Sequence, residues 1–333
     1  MKTKPTSEKA NFTFQRAVAL FGVLLFIAKL IAWRITHSDA VFSDAIESIV
    51  NIIAAFMGLY SLYLAAKPRD QEHPYGHGKV EFITSGIEGA LIIFAGVIII
   101  IQAITSLINK NIPQQLDWGM LIIAITAIIN YLLGYLSVKK GIAVNSLVLQ
   151  SSGKHLQSDT ITTAGVVVSL FVVYLTQIYW LDGIIASIFG LYIIFVGYKI
   201  VRQSLRGIMD EADVDMLKKL ATILNENRKE EWIDFHNVKI QQFGSRLHID
   251  AHLTLPYYFE LREAHNEMEN AILTVVDHAE RQIEFNFHMD DCKPTSCDIC
   301  LMKDCPVRSS TFKKKIEWTA LNITQPDKHT VDN

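Results

Sequence analysis

The chain has 333 residues, half of them hydrophobic, and a mean hydropathy of +0.24. Its formal net charge is only -3 and its pI is about 6.4, so neither a nucleic acid nor an anionic surface is expected as its main partner. The apolar residues are concentrated in roughly the first 205 positions. This distribution predicts a membrane domain that is followed by a soluble domain.

Six apolar stretches are long enough to cross a hydrocarbon core of about 30 Å. They cover residues 13–36, 40–65, 81–109, 116–138, 144–176 and 180–202. No small-residue cleavage pattern follows the first stretch, so we interpret it as a retained helix and not as a signal peptide. Most lysines and arginines between the stretches fall on one side. The excess of positive charge on the cytoplasmic side of membrane proteins therefore predicts that both termini are cytosolic.

A soluble domain is predicted after Asp210. Its hydrophobic periodicity indicates a helix, two strands, a second helix and a third strand. These elements are predicted at residues 214–228, 234–242, 246–255, 260–281 and 283–288. The order αββαβ favours a sheet with two helices packed on one face. The polar residues beyond Lys313 are expected to be loose.

Polar residues stand out in the second and fifth apolar stretches, because polar groups at membrane depth are costly and tend to mark transport pathways. Glu47 and Asn51 are four residues apart, and His155 and Asp159 have the same spacing. Side chains with this spacing lie on one face of a helix, about one turn apart. If the two faces are in contact, they bring four ligands together. We therefore predict a divalent-metal site within the bilayer at these four residues.

The types of ligand favour a divalent transition metal. One imidazole nitrogen and three oxygens suit tetrahedral Zn²⁺, and the same set also suits Fe²⁺, Mn²⁺ or Co²⁺. A ligating imidazole must be neutral and a ligating carboxylate ionised, so protons compete with metal for His155, Glu47 and Asp159. Exchange of metal for protons follows as a hypothesis. The alternative is that these residues only form hydrogen bonds between helices.

Three motifs carry a resemblance to a known family. They are Ser43-Asp44-x-x-Glu47-Ser48-x-x-Asn51, His155-x-x-Ser158-Asp159 and His73-Pro74-Tyr75-Gly76-His77-Gly78-Lys79. They resemble the motifs of cation diffusion facilitators, from the first span to about Cys292. The resemblance implies a homodimer with six spans per protomer, a cytosolic αββαβ domain of ferredoxin-like type, and export of zinc or a similar ion in exchange for protons. The second span departs from the commonest family patterns, in which Asp or His is followed four residues later by Asp, so metal selectivity is not simply inherited.

The resemblance also implies two further metal sites and an ion pair. A loop site would be formed by Asp70, His73 and His77, with an ordinary polar loop as the alternative. A binuclear site at the dimer interface of the cytosolic domain would be formed by His236, His252, His265, His288 and Asp290. Lys79 and Asp210 align with charged positions that can pair near the junction of the two domains. Two solvated charges without a partner are the alternative for that pair.

All four cysteines lie behind the last apolar stretch, in the pattern Cys292-x4-Cys297-x2-Cys300-x4-Cys305. A Cys-x-x-Cys centre with two flanking thiols is typical of metal ligation, and structural zinc is the prediction. An iron–sulfur cluster also needs four thiolates, but the spacing as a whole does not match the ferredoxin patterns. Reduced free thiols or a redox pair are the remaining alternatives.

Taken together, these features predict an α-helical membrane protein with six transmembrane helices and a cytosolic α+β domain. The predicted divisions are a cytosolic tail at 1–12, the helical domain at 13–206, a metal-binding dimerisation domain at 207–291, and the cysteine segment with a polar tail at 292–333. No phosphate loop or catalytic nucleophile is visible, so the prediction is a metal/proton antiporter of the cytoplasmic membrane and not an enzyme. Zinc is the first candidate metal, before iron, manganese or cobalt.

A different class of function is also compatible with part of the sequence. A membrane-anchored metal sensor or storage protein would use only the cytosolic histidines and cysteines. Such an anchor would not need Glu47, His155 and Asp159 inside its apolar stretches. Transport is therefore favoured.

Overall fold

The computed structural model describes residues 6–36, 39–109, 118–176, 178, 180–278 and 282–331. The chain forms two compact units, Met1–Met209 and Asp210–Asn333. Within the described residues, the first unit contains six long helices, each of which overlaps one of the predicted apolar stretches. They are α1 (Thr6–Thr36), α2 (Asp39–Ala65), α3 (Val80–Asn109), α4 (Trp118–Ala143), α5 (Leu147–Thr176) and α6 (Trp180–Ile208).

Three segments within the described residues are long and apolar enough to cross a membrane, namely Ala10–Ile31, Val80–Thr105 and Gly183–Ile208. They belong to α1, α3 and α6. In α2 the apolar part is the shorter stretch Asn51–Ala65, and α5 carries several polar side chains that lower its hydropathy. Six spans therefore stay a prediction.

Glycines allow α4 and α5 to pack closely just before the predicted ligands of α5. A Cβ atom at Gly153 would lie 2.7 Å from the carbonyl oxygen of Gly134, and a Cβ atom at Gly134 would lie equally close to the carbonyl oxygen of Gly153. Small residues at such contacts are typical of helix pairs in membranes, because they let the two backbones approach. This contact holds α5 against α4 only two residues before His155.

The second unit contains the predicted order αββαβ, which is confirmed. Its elements are α7 (Val214–Glu226), β1 (Asp234–Phe243), β2 (Arg246–Leu255), α8 (Leu261–Asp277) and β3 (Gln282–Asp291), followed by a short 3-10 helix at Pro294–Asp298. Asp213 caps α7, because its side chain accepts hydrogen bonds from the N–H groups of Asp215 and Met216.

The three strands form a mixed sheet in the order β1-β2-β3. β1 and β2 are antiparallel and are joined at Gly244, whose φ of +61° is accessible to glycine without strain. β2 and β3 are parallel, with α8 as the connection between them. The core joins the sheet to both helices, since Ile249 of β2 is buried in one cluster with Leu220 of α7 and Val275 of α8.

The prediction of a loose segment beyond Lys313 is wrong. Trp318 and Ile323 are 2% and 0% exposed and belong to the core of the second unit. The N–H of Val238 donates to the carbonyl oxygen of Ile323 at 2.8 Å, and the guanidinium of Arg228 lies 3.9 Å from the centre of a Trp318 ring. Burial of Trp318, Ile323 and also Ile316, which is 6% exposed, removes apolar area from water and anchors this mostly polar segment.

Candidate metal centres

Asn51 of α2 connects the two predicted ligands of α5. Its Nδ2 donates a hydrogen bond to Oδ2 of Asp159 at 2.5 Å, and its Oδ1 lies 2.8 Å from Nε2 of His155. His155 is buried, with 6% of its surface exposed. Glu47 lies on α2 one turn before Asn51, and its side chain is outside the described part of the chain. The structure thus brings together the three predicted ligands whose side chains it describes.

This arrangement suits an exchange between two states of the same groups. The primary amide of Asn51 is both a donor and an acceptor, so it can satisfy a carboxylate and an imidazole at once. The same three side chains offer two types of oxygen and one nitrogen to a cation of borderline hardness. A metal ion can therefore replace the hydrogen bonds without the arrival of any new residue.

Lys29 of α1 lies beside this set, and the sequence analysis missed it. It is 3% exposed, its Nζ donates to Oγ of Ser48 at 2.8 Å, and it lines the same cavity as Asn51 and His155. A positive charge at this position opposes a bound dication. The signal was available in the sequence, because Lys29 is a single charge within a long apolar stretch of α1.

The loop between α2 and α3 brings Asp70, His73 and His77 together. Oδ1 of Asp70 lies 3.2 Å from Nδ1 of His73, and Oδ2 lies 3.3 Å from Nε2 of His77. The donor atoms of the three residues all lie within 4.8 Å of one another. The N–H of His73 also donates to Asp70 at 2.7 Å, and this backbone hydrogen bond is the main reason that the pKa of Asp70 is lowered. Two imidazoles and one ionised carboxylate thus offer a metal ion three ligands at a solvent-accessible position.

Three histidines form a row across the sheet of the second unit. His236 of β1 is the cross-strand partner of His252 of β2, and His252 is the cross-strand partner of His288 of β3. Asp290 contacts all three, because its Oδ2 lies 3.3 Å from Nε2 of His236 and 3.1 Å from Nδ1 of His252, and its Oδ1 lies 3.3 Å from Nδ1 of His288. A β-bulge follows His236, a feature that often re-aims a side chain at a functional site.

Behind His236 lies a second carboxylate that the sequence analysis did not identify. Oδ2 of Asp234 is 3.2 Å from Nδ1 of His236, and Oδ1 of Asp234 is 2.5 Å from Nδ1 of His329. Burial alone would raise the pKa of Asp234, but its contacts with His236 and His329 outweigh burial and hold that pKa well below its usual range. Burial would likewise lower the pKa of His329, but the pairing with Asp234 raises it.

The remaining predicted residues are not members of these donor sets within the described part of the chain. His265 is exposed on α8, and among the described residues the compact donor set of the sheet consists of His236, His252 and Asp290. Lys79 directly precedes α3 in the first unit and Asp210 begins the second, so their pairing stays a prediction. The four cysteines are free thiols that line a single pocket. They are Cys292, Cys297, Cys300 and Cys305.

Comparison with known proteins adds independent information. The family model described as the cation efflux transmembrane domain matches residues 16–209. An uncharacterised transporter of Synechocystis is 33% identical over 248 residues, which are 74% of this chain and 80% of that relative. A cation-efflux pump of Shewanella oneidensis is 25% identical over 263 residues, 78% of this chain and 87% of the pump. A manganese efflux system protein of Bacillus subtilis is 24% identical over 267 residues, 77% and 89% of the two chains.

Proposed function

Because this chain belongs to the cation efflux family of membrane transporters, we propose that it exports a divalent transition-metal cation in exchange for protons. The transport site is formed by Glu47, Asn51, His155 and Asp159. The observation that carries the proposal is the amide of Asn51, which contacts an imidazole and a carboxylate on the neighbouring helix. These groups bind either a metal ion or protons, and a coupled exchange needs that property.

The proposed mechanism follows from the chemistry of the ligands. A dication that enters from the cytosol displaces the hydrogen bonds of Asn51 and binds Asp159 and His155, which must both be deprotonated. Movement of the helices around the site then opens it to the other side. Protonation of the same imidazole and carboxylate releases the ion, so each proton that enters favours the departure of the metal.

The identity of the cation is the next level of the proposal. Zinc is the first candidate and iron, manganese and cobalt follow, because the donor set has one nitrogen and is otherwise made of oxygens. Oxygen ligands are favourable for Mn²⁺ in particular, and one of the relatives is named for manganese efflux. Competition between Zn²⁺, Fe²⁺, Mn²⁺, Co²⁺ and Cd²⁺ for transport will rank them.

The soluble donor sets are proposed to bind metal without transporting it. The imidazoles of His236 and His252 and the carboxylate of Asp290 fit a transition metal, because their donor atoms lie within 4.8 Å of one another. His288 is the next histidine across the sheet and also contacts Asp290. Metal there is proposed to tighten a homodimer, with His265 as a further ligand. The loop set at Asp70, His73 and His77 is proposed as a weaker site.

Localisation and topology belong to the same proposal. We propose a cytoplasmic-membrane protein with six spans and both termini in the cytosol, since positive residues are in excess on that side. Lys79 and Asp210 are proposed to pair near the junction of the two domains. Cysteine-accessibility labelling of single-cysteine variants from each side of the membrane tests this topology.

The decisive experiment measures metal and proton flux in proteoliposomes. Asp159→Asn removes one ionised ligand and keeps the size of the side chain, so we expect metal-driven proton flux to fall about 100-fold or more. Asp213→Asn is the matched control, because Asn caps a helix as well as Asp does, and it should leave flux unchanged. Unaltered flux in Asp159→Asn would exclude this transport site. Metal binding without any flux in the wild type would favour the sensor instead.

A further inference from the structure

The four cysteines surround one pocket at the end of the sheet. Cys292 directly follows β3, and its N–H donates to the carbonyl oxygen of Leu255 at the end of β2, at 2.9 Å. The pocket is lined by the four thiols together with residues of the adjoining turns. A sequence that places four thiols around one small space, with none of them in a disulfide, is unusual for a purely structural loop.

Two of the thiols already accept hydrogen bonds. The N–H of Tyr257 lies 3.4 Å from Sγ of Cys292, and the N–H and Oγ of Ser309 lie 3.5 Å and 3.4 Å from Sγ of Cys297. Hydrogen bonds from these donors would stabilise the negative charge of a metal-bound sulfur. The thiolate is the form that binds metal.

Two cationic side chains line the same pocket, and one of them, Arg308, donates hydrogen bonds to the backbone of the cysteine-bearing turns. Arg308 donates to the carbonyl oxygens of Cys297 at 2.9 Å and Cys300 at 3.0 Å, and also to that of Met302. Both Arg308 and Lys293 line the pocket. Four thiolates around one Zn²⁺ leave a net charge of about -2, which two nearby cations can balance. The carbonyl contacts of Arg308 also hold the cysteine-bearing turns at a common centre.

We propose that Cys292, Cys297, Cys300 and Cys305 bind one structural Zn²⁺ as four thiolates, each of which releases its proton to water. The ion fastens the C-terminal segment at the end of the sheet, where Ile299 already packs in one cluster with Ile233, which directly precedes β1, and with Ile316. This role is separate from transport and does not depend on the proposed transport site. It also connects to the histidine row, because Asp290 lies only two residues before Cys292.

Zinc binding requires a change in the positions of the four sulfurs. The cysteines are not among the described groups whose donor atoms all lie within 4.8 Å of one another. Sulfurs of a tetrahedral zinc site, with Zn–S bonds of about 2.3 Å, are about 3.8 Å apart. The turns must therefore move closer together when the ion binds. The first three cysteines share the spacing of plant-type ferredoxins, but Cys305 follows after only four residues, so one ion is favoured over a cluster.

The test uses the full-length protein in detergent, with Asp159→Asn, His252→Ala and His73→Ala combined to weaken the other sites. After a wash with a weak chelator, we expect one zinc per chain by mass spectrometry of the metal, without iron or acid-labile sulfide. Cys297→Ser with Cys300→Ser should lose that zinc. Met302→Leu is the matched control, because it removes a pocket sulfur that is not a thiol, and it should keep the zinc.

A second measurement does not require the cysteine variant to fold. In the same protein with all cysteines present, alkylation of the four thiols should be blocked by zinc and should become complete after a strong chelator removes it. Cobalt substituted for zinc should give the charge-transfer and visible bands of a tetrahedral thiolate site. Iron with acid-labile sulfide, a disulfide mass shift, or four reactive thiols in a metal-free chain would each overturn the proposal.

Discussion

The two units contain similar ligands that are held in different ways. In the helical unit, Asn51 reaches His155 and Asp159 across the contact between α2 and α5. In the second unit, His236 and His252 are neighbours on paired strands. Helices that meet through side chains can separate without breaking their own hydrogen bonds, whereas a row across a sheet is fixed by the backbone ladder. We therefore expect the first set to release its metal and the second to retain it.

The charged groups around the two sets of ligands also differ. The helical set consists of Asn51, His155 and Asp159, and the sheet set consists of His236, His252, His288 and Asp290. The helical set has a buried cation nearby, Lys29, which works against tight binding of a dication. The sheet set has a buried anion behind it, since Asp234 contacts His236 and is itself held by His329. A carboxylate behind a ligating imidazole orients the ring and strengthens it as a ligand. The sheet set also has a cation nearby, because Nζ of Lys328 lies 4.0 Å from Oδ1 of Asp290. The buried carboxylate that supports His236 is therefore the feature that favours retention of metal at the sheet set.

The largest effect is expected at the centre of the sheet set. Asp290→Asn removes the carboxylate that contacts His236, His252 and His288. We expect metal affinity at this set to fall about 100-fold, at or above the range known for residues that only support a ligand. Calorimetric titration of the full chain in an Asp159→Asn background measures the change.

A neighbouring carboxylate provides the control for that variant. Asp291 is the next residue of β3, so its side chain points to the other face of the sheet. Asp291→Asn should change metal affinity at the sheet set by less than about twofold. Equal losses in the two variants would mean that the row of histidines does not bind the metal.

A smaller effect is expected at the helical set. Asn51→Asp places a second carboxylate beside Asp159 and removes the hydrogen bond from the amide. We expect metal to bind about tenfold more tightly at pH 8, because the added charge attracts a dication. The gain should shrink as the pH falls, because two adjacent carboxylates share a proton readily. The metal dependence of flux in proteoliposomes, measured at several pH values, tests both statements.

Asn130→Asp separates general charge from the ligand position. Asn130 lines the same cavity as Asn51 and His155, so its replacement adds a charge to the cavity at a position other than the predicted ligand position of Asn51. We expect this variant to strengthen metal binding by only a few-fold. If both variants gave the same gain in metal affinity, the effect of Asn51→Asp would come from its added charge alone. Asn51 would then not be identified as a ligand, and the contrast between the two sets would weaken.

Sequence patterns were sufficient for the elements and for the local part of each set. The length of the apolar stretches predicted the six long helices, and hydrophobic periodicity predicted the order αββαβ. The spacing of four residues predicted that Glu47 and Asn51 lie on one helix face and that His155 and Asp159 lie on another. The alternation in β2 and β3 likewise placed His252 and His288 on the polar face of the sheet. These features depend on neighbours within one element, which a sequence displays directly.

The parts that were missed depend on contacts between distant segments. Asp234 and His329 are 95 positions apart, and they meet only because Trp318 anchors the C-terminal segment in the core. The polar composition of the segment beyond Lys313 gave no indication that Trp318 is buried in the core. Lys29 was visible as a lone charge, but its place beside Ser48 depends on how α1 packs against α2. Such pairings are consequences of tertiary packing, and no local pattern encodes them.

The smallest effect concerns the anion behind the sheet set. His329→Gln keeps a side chain that can donate to Asp234 but removes its positive charge. The raised pKa of His329 means that its stabilisation is complete below about pH 6.5 and is lost as the pH rises through the raised pKa. Asp234 stays ionised in this range because its pKa is lowered. We expect the segment that carries His329 to be less protected by about 1 kcal/mol at pH 6, or about fivefold.

Amide hydrogen exchange of residues 319–329, corrected for intrinsic rates, measures that protection from pH 6 to pH 9. In the wild type, protection should decline with rising pH, whereas His329→Gln should start lower and remain nearly constant. His278→Gln, which alters an exposed histidine at the end of α8, should follow the wild type. If His329→Gln kept the pH dependence of the wild type, the charge on His329 would not support Asp234. In that case Asp234 would hold its position behind His236 without a charged partner. The rigidity of the sheet set would then come from its strands alone.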